Sequence, residues 1–377
     1  LEDYQLSYDN IGNVTQITDW RTPSEWPDSA RPSTRKFEYD TLYRLKKATY
    51  EYAGTGTPTT PDTWKSPYDK ENTAPNPNDP KPSPHVSFPN RVTQQTYDYD
   101  FLGNSSVSTD DSSAFYDRSL GTITNGTATA GPAQLKLASN RTLAPTSPRK
   151  GDLDAKYDSA GNVTDIVVRR DGPCLPAGAN CWQRFQYTWD EIGNLKNAKR
   201  WDLKTTPTNE RTTNGLLSQA VPPRNPDVTL DYTYSGQSRT VKTATDPAGA
   251  QRHSVYIFSS FELRSTTWDA VTKKYALTPD TASVRLAAGP ATARVIFSNQ
   301  SLPTLTSGQR HVLLELSDQL GSGTFVIDHA TGELVNYSTY MAYGGIESDY
   351  RPARWGSFRE PYKFSGKEED IEVGLSY

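Results

Sequence analysis

Tyr8-Asp9-Asn10-Ile11-Gly12-Asn13 is the first appearance of a phrase that runs through this chain. It returns as Tyr99-Asp100-Phe101-Leu102-Gly103-Asn104, as Tyr157-Asp158-Ser159-Ala160-Gly161-Asn162 and as Trp189-Asp190-Glu191-Ile192-Gly193-Asn194. A variant, Tyr39-Asp40-Thr41-Leu42-Tyr43-Arg44-Leu45, keeps the opening and replaces Gly-Asn by Tyr-Arg. Weaker echoes stand at Tyr234-Ser235-Gly236-Gln237-Ser238-Arg239 and at Asp318-Gln319-Leu320-Gly321-Ser322. Internal repetition dictates architecture, so a residue that recurs in each copy is read first as a builder of the repeat.

The residues before each phrase alternate apolar and polar, as in Leu6/Tyr8, Tyr97/Tyr99 and Phe185/Tyr187/Trp189. Those after it do the same, as in Val14-Thr15-Gln16-Ile17. Period-two alternation with aromatics marks half-buried strands. Between them the Asp accepts from amides two residues on, and Gly-Asn supplies left-handed backbone. Each phrase therefore predicts a β-hairpin. Tyr8, Tyr39, Tyr99, Tyr157 and Trp189 are expected to stack in ladders between hairpins. A single hairpin cannot bury a face, so the units must join into a continuous sheet. The expected fold class is all-β, a long spiralling sheet of hairpins with surface insertions.

Composition narrows the function. Hydrophobic residues make up 34% of the 377, too few for a large solid core, while the 11% aromatic share argues against disorder. A thin wall or a sheet with one wet face fits both. A net charge of -4 gives no electrostatic case for nucleic acid. No apolar run reaches the roughly 18–20 residues of a membrane helix, and no signal-peptide core stands at the N-terminus. The chain opens just ahead of a repeat and closes in mid-pattern on Val373-Gly374-Leu375-Ser376-Tyr377, which reads as a piece of a longer polypeptide.

The texture divides the chain into 1–250, repeat hairpins with insertions, and 251–377, a denser C-terminal region. Nine prolines between Ala53 and Asn90 (about 53–90) exclude that stretch from a sheet interior. Ser112–Ser147 (about 112–147) and Leu203–Asp227 are expected to be further loop-dominated inserts. Cys174 and Cys181 bracket Leu-Pro-Ala-Gly-Ala-Asn between strand-like stretches. They read equally as two free thiols or as a disulfide closing a short ring, worth about 2–3 kcal/mol.

The ordered set of motifs resembles the Rhs/YD-repeat family, in particular the Rhs core of bacterial Tc toxin B and C components and polymorphic toxins. Asp318-Gln319-Leu320-Gly321-Ser322, Val326-Ile327-Asp328 and Gly332-Glu333 look like its "DxLGS…vvD…Ge" segment. Tyr340–Gly344 looks like its "Y-x-x-Y-G" element. Tyr362-Lys363-Phe364-Ser365-Gly366-Lys367-Glu368-Glu369-Asp370 with Gly374-Leu375-Ser376-Tyr377 resembles its "rFtGkerDeetGLyY" signature. The resemblance implies a hairpin sheet spiralling into a hollow shell. It further implies a secreted bacterial protein that encloses a toxic C-terminal polypeptide until delivery. The family's self-cleavage segment would lie beyond Tyr377, so no self-cleavage residue is carried over.

The remaining candidates for chemistry are weak. The repeated Asp residues, Asp9, Asp40, Asp100, Asp158, Asp190 and Asp318, could suggest calcium loops, but each phrase offers one Asp and one Asn where a site needs several converging oxygens. Turn capping is the expected role, with Gly12, Gly103, Gly161, Gly193, Gly321, Gly366 and Gly374 as conformational residues and Asn13, Asn104, Asn162 and Asn194 beside them. Glu368-Glu369-Asp370 falls inside the signature, and Asp110-Asp111 in a loop. The histidines at 85, 253, 311 and 329 are scattered, with no nucleophile motif. No enzyme activity, cofactor or metal is expected. The expected partners are the rest of the polypeptide and an enclosed toxin domain, with a delivery component or target-cell glycan beyond them. A YD-repeat surface or glycan-binding module is the alternative.

Overall fold

A hairpin needs a turn that closes within a few residues and strands that fit a half-buried pleat. The aromatic and β-branched runs supply the strands. The computed structural model describes residues 3–20, 33–52, 93–110, 121–127, 130–146, 150–170, 182–203, 225–276, 280–288, 291–298, 310–318, 320–332, 334–344, 346–350, 355, 360–370, 372–373 and 375–376. Among them there is no α-helix, and no segment is a helix long and apolar enough to cross a membrane. Ala53–Asn90, Cys174, Cys181 and most of Leu203–Asp227 lie outside the described residues.

The chain forms two compact units that divide between Gln183 and Arg184, Leu203 aside. In the first, β1 (Tyr4–Tyr8), β2 (Val14–Asp19), β3 (Ser33–Tyr39), β4 (Leu45–Tyr52), β5 (Gln94–Tyr99) and β6 (Ser105–Asp110) make a six-stranded antiparallel meander in chain order. β7 (Thr122–Thr127), β8 (Ala130–Ser139), β9 (Gly151–Tyr157) and β10 (Val163–Arg170) pair in the same successive way. Ile17, Ala48, Tyr50 and Tyr97 are buried in this unit, and the Tyr50 hydroxyl donates to buried Gln95 Oε1 at 2.8 Å.

The second unit is also an antiparallel meander. Its strands are β11 (Trp182–Trp189), β12 (Leu195–Leu203), β13 (Val228–Ser235), β14 (Ser238–Thr245), β15 (Gln251–Phe258) and β16 (Phe261–Thr266). β17 (Trp268–Asp269) and β18 (Lys274–Tyr275) form a ribbon of their own, leaving β16 beside β19 (Thr281–Ala288). β20 (Ala291–Ser298), β21 (Arg310–Ser317), β22 (Gly323–Asp328), β23 (Leu334–Tyr340) and β24 (Ile346–Tyr350) complete the sheet, while β25 (Glu369–Asp370) pairs with β26 (Leu375–Ser376). Ile296, Leu313, Val326, Val335 and Trp355 form its apolar core.

Two expectations need correction. The described residues of Ser112–Ser147 are mostly strand, not loop, since β7 and β8 lie among them. Ile123 stands between Thr122 and Thr124, and Leu135 and Leu137 alternate with Gln134 and Lys136, the period of a strand. Pairing is continuous at residue 250, where the sequence texture changes. β14 and β15 pair across that point from Val241↔Val255 to Thr245↔Gln251, joined by the turn at Asp246–Ala250. Finally, the Gly-Asn dipeptide supplies one left-handed residue, not two. Gly12, Gly103, Gly161 and Gly193 have φ between 85° and 92°, whereas no Asn is among the described residues with positive φ.

Candidate functional site

The repeat turn is built the same way each time. The Asp amide donates to the carbonyl four residues on, and the residue three on donates back to the Asp carbonyl. Asp9 Oδ1 accepts from the amides of Ile11 and Asn13, and Oδ2 from Asn13 Nδ2 at 2.8 Å. Asp100, Asp158 and Asp190 hold Asn104, Asn162 and Asn194 in the same way. In the variant copy Arg44 Nε replaces the Asn amide, 2.7 Å from Asp40 Oδ2, and Tyr43 takes the glycine position at φ 62°. The side-chain bonds from Asn104 and Asn162, with backbone amides, hold the carboxyls of Asp100 and Asp158 below the usual carboxylate range. These carboxylates are saturated by their own turns.

Two features of the repeat escaped the sequence reading. A β-bulge follows most of these turns: Tyr8 pairs with Val14 but Ser7 with Gln16, and the same shift recurs beside Tyr39, Tyr99, Tyr157, Tyr234 and Tyr340. A bulge increases the local right-handed twist of its hairpin. The second feature is a stitch between hairpins. The hydroxyls of Tyr39, Tyr99, Tyr234 and Tyr340 donate to the carbonyls of Val14, Leu45, Leu195 and Gly323, at 2.7–3.0 Å. Tyr157 differs, its hydroxyl oxygen accepting from the Leu135 amide. Each acceptor carbonyl belongs to the preceding hairpin. In the other direction, Arg44 Nη1 reaches Asp100 O at 3.2 Å and Asn104 Nδ2 reaches Pro132 O at 3.0 Å. Tyr8, in the first described hairpin, is exposed.

Other turns share the backbone bonds without the full phrase. Asp246-Pro247-Ala248-Gly249-Ala250 has the Asp without the aromatic, and Lys363–Lys367 has neither Asp nor Asn. Searching for Asp-x-x-Gly alone finds the first. Asp318 caps Leu320 and Ser322 like the other copies, with Gly321 at φ 76°. There Ser322 is fully buried, and its hydroxyl accepts the Ser365 amide at 3.0 Å instead of bonding the Asp. Gly366 sits at φ 64° beside Gly321, where a Cβ would meet Gly321 O at 3.3 Å. Gly374 lies outside the described residues.

The signature segment of the second unit, 360–370, lies over one face of the sheet and touches strands from β13 to β23. Its carboxylates meet cations that the sheet presents by register. Tyr232 pairs with Lys242, and Tyr256 with Glu262, which pairs with Ser283, so these side chains share one face. Asp370 accepts from Lys242 at 2.7 Å, Arg239 at 3.0 Å and the Tyr232 hydroxyl at 3.0 Å. Glu368 accepts from Arg264 at 2.9 Å, Arg239 at 3.2 Å and the Tyr256 hydroxyl at 2.8 Å. Glu262 is held by Arg264, by Ser283 at 2.9 Å and by the Tyr362 hydroxyl at 2.8 Å. Arg285 stacks on the Tyr362 ring, 3.4 Å from its centroid.

Burial alone would raise these acids. It is outweighed at Asp370 by Lys242 and Arg239, which keep the carboxyl below its usual range. At Glu262, Arg264 and Arg285 overcome burial and bring the pKa to about 2. Lys242 is likewise raised by the carboxylates around it, against its burial. Further along, one guanidinium serves two acids: Arg294 Nε lies 2.5 Å from Glu315, and its Nη2 contacts Glu360. Burial and the nearby Glu360 charge push Glu315 up to about 8. Glu368 and Asp370 thus act as ion-pair anchors that fasten the segment to the sheet. Their oxygens are occupied by cations and phenols. Glu369 is in β25, and Asp110 ends β6. No group of three or more His, Cys, Asp or Glu side chains among the described residues is arranged to hold a metal ion.

No protein-family model and no curated protein matches the chain. Among solved structures, the whole chain superposes on part of the crystal structure of TcdB2-TccC3-Cdc42, with a TM-score of 0.61 at 20% identity. The crystal structure of TcdB2-TccC3-TEV matches at a TM-score of 0.52 and 17% identity, again over the whole chain. In both cases the match spans 15% of the other chain's length. This chain therefore has the all-β hairpin-sheet fold of the matched part of those TcdB2-TccC3 chains.

Proposed function

We propose that the chain is a structural wall segment of a secreted bacterial Rhs/Tc-type toxin, part of a shell that encloses a toxic polypeptide until delivery. The observation that supports it best is the hairpin sheet itself, stitched from turn to turn by tyrosine hydroxyls and matched over its whole length by a TcdB2-TccC3 chain. A repeat in which polar side chains are spent on turns and stitches suits a wall, and pairing strand to strand leaves few exposed edges. The proposed role is non-enzymatic, since the acids of the signature segment are engaged by Arg239, Lys242 and Arg264. Its partners would be the rest of its polypeptide, the enclosed toxin and a delivery component. The test is protease protection in the parent protein. A toxin segment resistant to protease until the wall is unfolded supports the reading, and one digested as fast as the free segment refutes it.

A surface-binding role has one supporting observation. Trp268, on the β17–β18 ribbon, is half exposed and packs edge-on against Tyr275, with ring centroids 4.7 Å apart, as an aromatic platform for a sugar would. Binding on a glycan array that Trp268→Ala abolishes would favour it.

A further inference from the structure

The residue two after the Asp is aliphatic in each of the turns closed by the Asp amide: Ile11, Leu42, Leu102, Ala160, Ile192, Ala248 and Leu320. Turn chemistry does not ask for this. What the position contributes is its backbone N–H, donated to Asp Oδ1 at 2.8–3.0 Å, and any residue but proline has one. Hairpin tips ordinarily carry polar residues and glycine. An apolar choice repeated copy after copy calls for a surface that covers it.

The six-stranded sheet shows the effect most strongly. The β1–β2, β3–β4 and β5–β6 turns all lie along one edge, two strands apart, so their tips recur about every 10 Å. That edge carries Ile11, Leu42, Tyr43, Phe101 and Leu102; Phe101 is 90% exposed and the others 51–64%. Tyr43 adds an independent observation. It stands at φ 62° where Gly12 and Gly103 occupy the corresponding positions, a conformation that costs a side-chain-bearing residue about 1–2 kcal/mol. An exposed aromatic has replaced the unstrained residue. The tip acids do not oppose contact, because Asp9 and Asp100 are turned into their own turns and Asp40 is paired with Arg44.

We propose that this turn edge is a self-association surface, on which a second copy of the chain packs its own turn edge. The exposed part of these side chains amounts to roughly 600 Å² per copy, at the upper end for the largest patch on a monomer. Two copies would bury about 1,200 Å², within the range of specific interfaces. The second copy is the partner the geometry favours because a row of tips with one pitch is fully seated only by a surface of the same pitch. Two such rows related by a two-fold axis match each other tip for tip.

Sedimentation velocity of the 377-residue chain across the micromolar range tests this. The expected result is a concentration-dependent monomer–dimer equilibrium that Leu42→Ser/Phe101→Ser weakens by about a hundredfold or more, as loss of two large buried side chains requires. Phe101→Ser alone serves the same purpose should the double variant unfold, since its side chain projects almost wholly into solvent. Tyr43→Gly separates association from folding: it should raise the melting temperature of the monomer while weakening the dimer. A chain that stays monomeric throughout, or a dimer whose Kd these changes leave unaltered, overturns the proposal. Neither result bears on whether the parent shields a toxin.

Discussion

Replacing Asp370 by Asn removes the charge on which the signature segment is fastened, and its cost follows from the contacts. Asp370 is almost fully buried and accepts from Lys242, Arg239 and Tyr232. At about 3 Å and an effective dielectric constant near 20, each charge pair is worth roughly 5 kcal/mol before desolvation is counted. Removing the carboxylate also removes its own desolvation penalty, but leaves Lys242 and Arg239 buried with less compensation. The net loss expected for breaking such a network is about 3–5 kcal/mol. For a unit of this size that lowers Tm by roughly 6–20 °C, at about 2–4 °C per kcal/mol. Calorimetry at neutral pH measures it, and the loss should persist in high salt because buried pairs are poorly screened. Arg239→Met combined with Asp370→Leu should cost less than the two single changes added together, because each removes the partner that the other would strand, and Lys242 keeps Glu368 at 3.7 Å. A loss under about 1 kcal/mol for Asp370→Asn, typical of a surface pair, would refute the role of Asp370 as the keystone anchor of the segment.

The other expectations concern the turn, the stitch and pH. Gly161→Val should lower Tm, because a β-branched residue at φ 92° is strained whatever the space, and its Cβ would already meet Gln134 Nε2 at 3.4 Å; an unchanged melting curve would count against the turn assignment. Tyr234→Phe removes the hydroxyl that reaches Leu195 O and should cost about 1 kcal/mol in denaturant unfolding. Glu315 has its folded pKa raised to about 8, so the folded state binds the extra proton and stability should fall as pH rises from about 4.5 through 8. Glu315→Gln should flatten that part of the profile. Glu262 and Asp370 act in the opposite sense: their lowered values add stability above the usual carboxylate pKa, lost as pH falls through the folded pKa, about 2 for Glu262.

The hairpins were legible because everything that makes them lies within six residues. Asp9 accepts from amides two and four positions on, and Gly12 supplies the left-handed step in the same loop. Copies lacking the aromatic or the Asp, at Asp246 and Lys363, were hidden because the phrase was defined by side chains while the turn is defined by backbone bonds. Ser112–Ser147 was misread because Gly and Thr serve loops and bulged strands alike. The Tyr stitch was not visible, since a ring in a strand gives no sign of which carbonyl its hydroxyl will meet.

By itself, then, the sequence determined the repeating unit, its turn chemistry and the all-β class, because those depend on contacts local in the chain. The tertiary structure alone decided the keystone. Lys242 and Asp370 are 128 residues apart and meet at 2.7 Å only because strand register sets Tyr232, Lys242, Tyr256 and Glu262 on one face and the C-terminal segment folds across it. Read in sequence, Glu368-Glu369-Asp370 is an acidic run. In the fold, Glu368 and Asp370 point into a cluster of cations and Glu369 takes its place in β25, a difference made by long-range pairing that spacing along the chain does not encode.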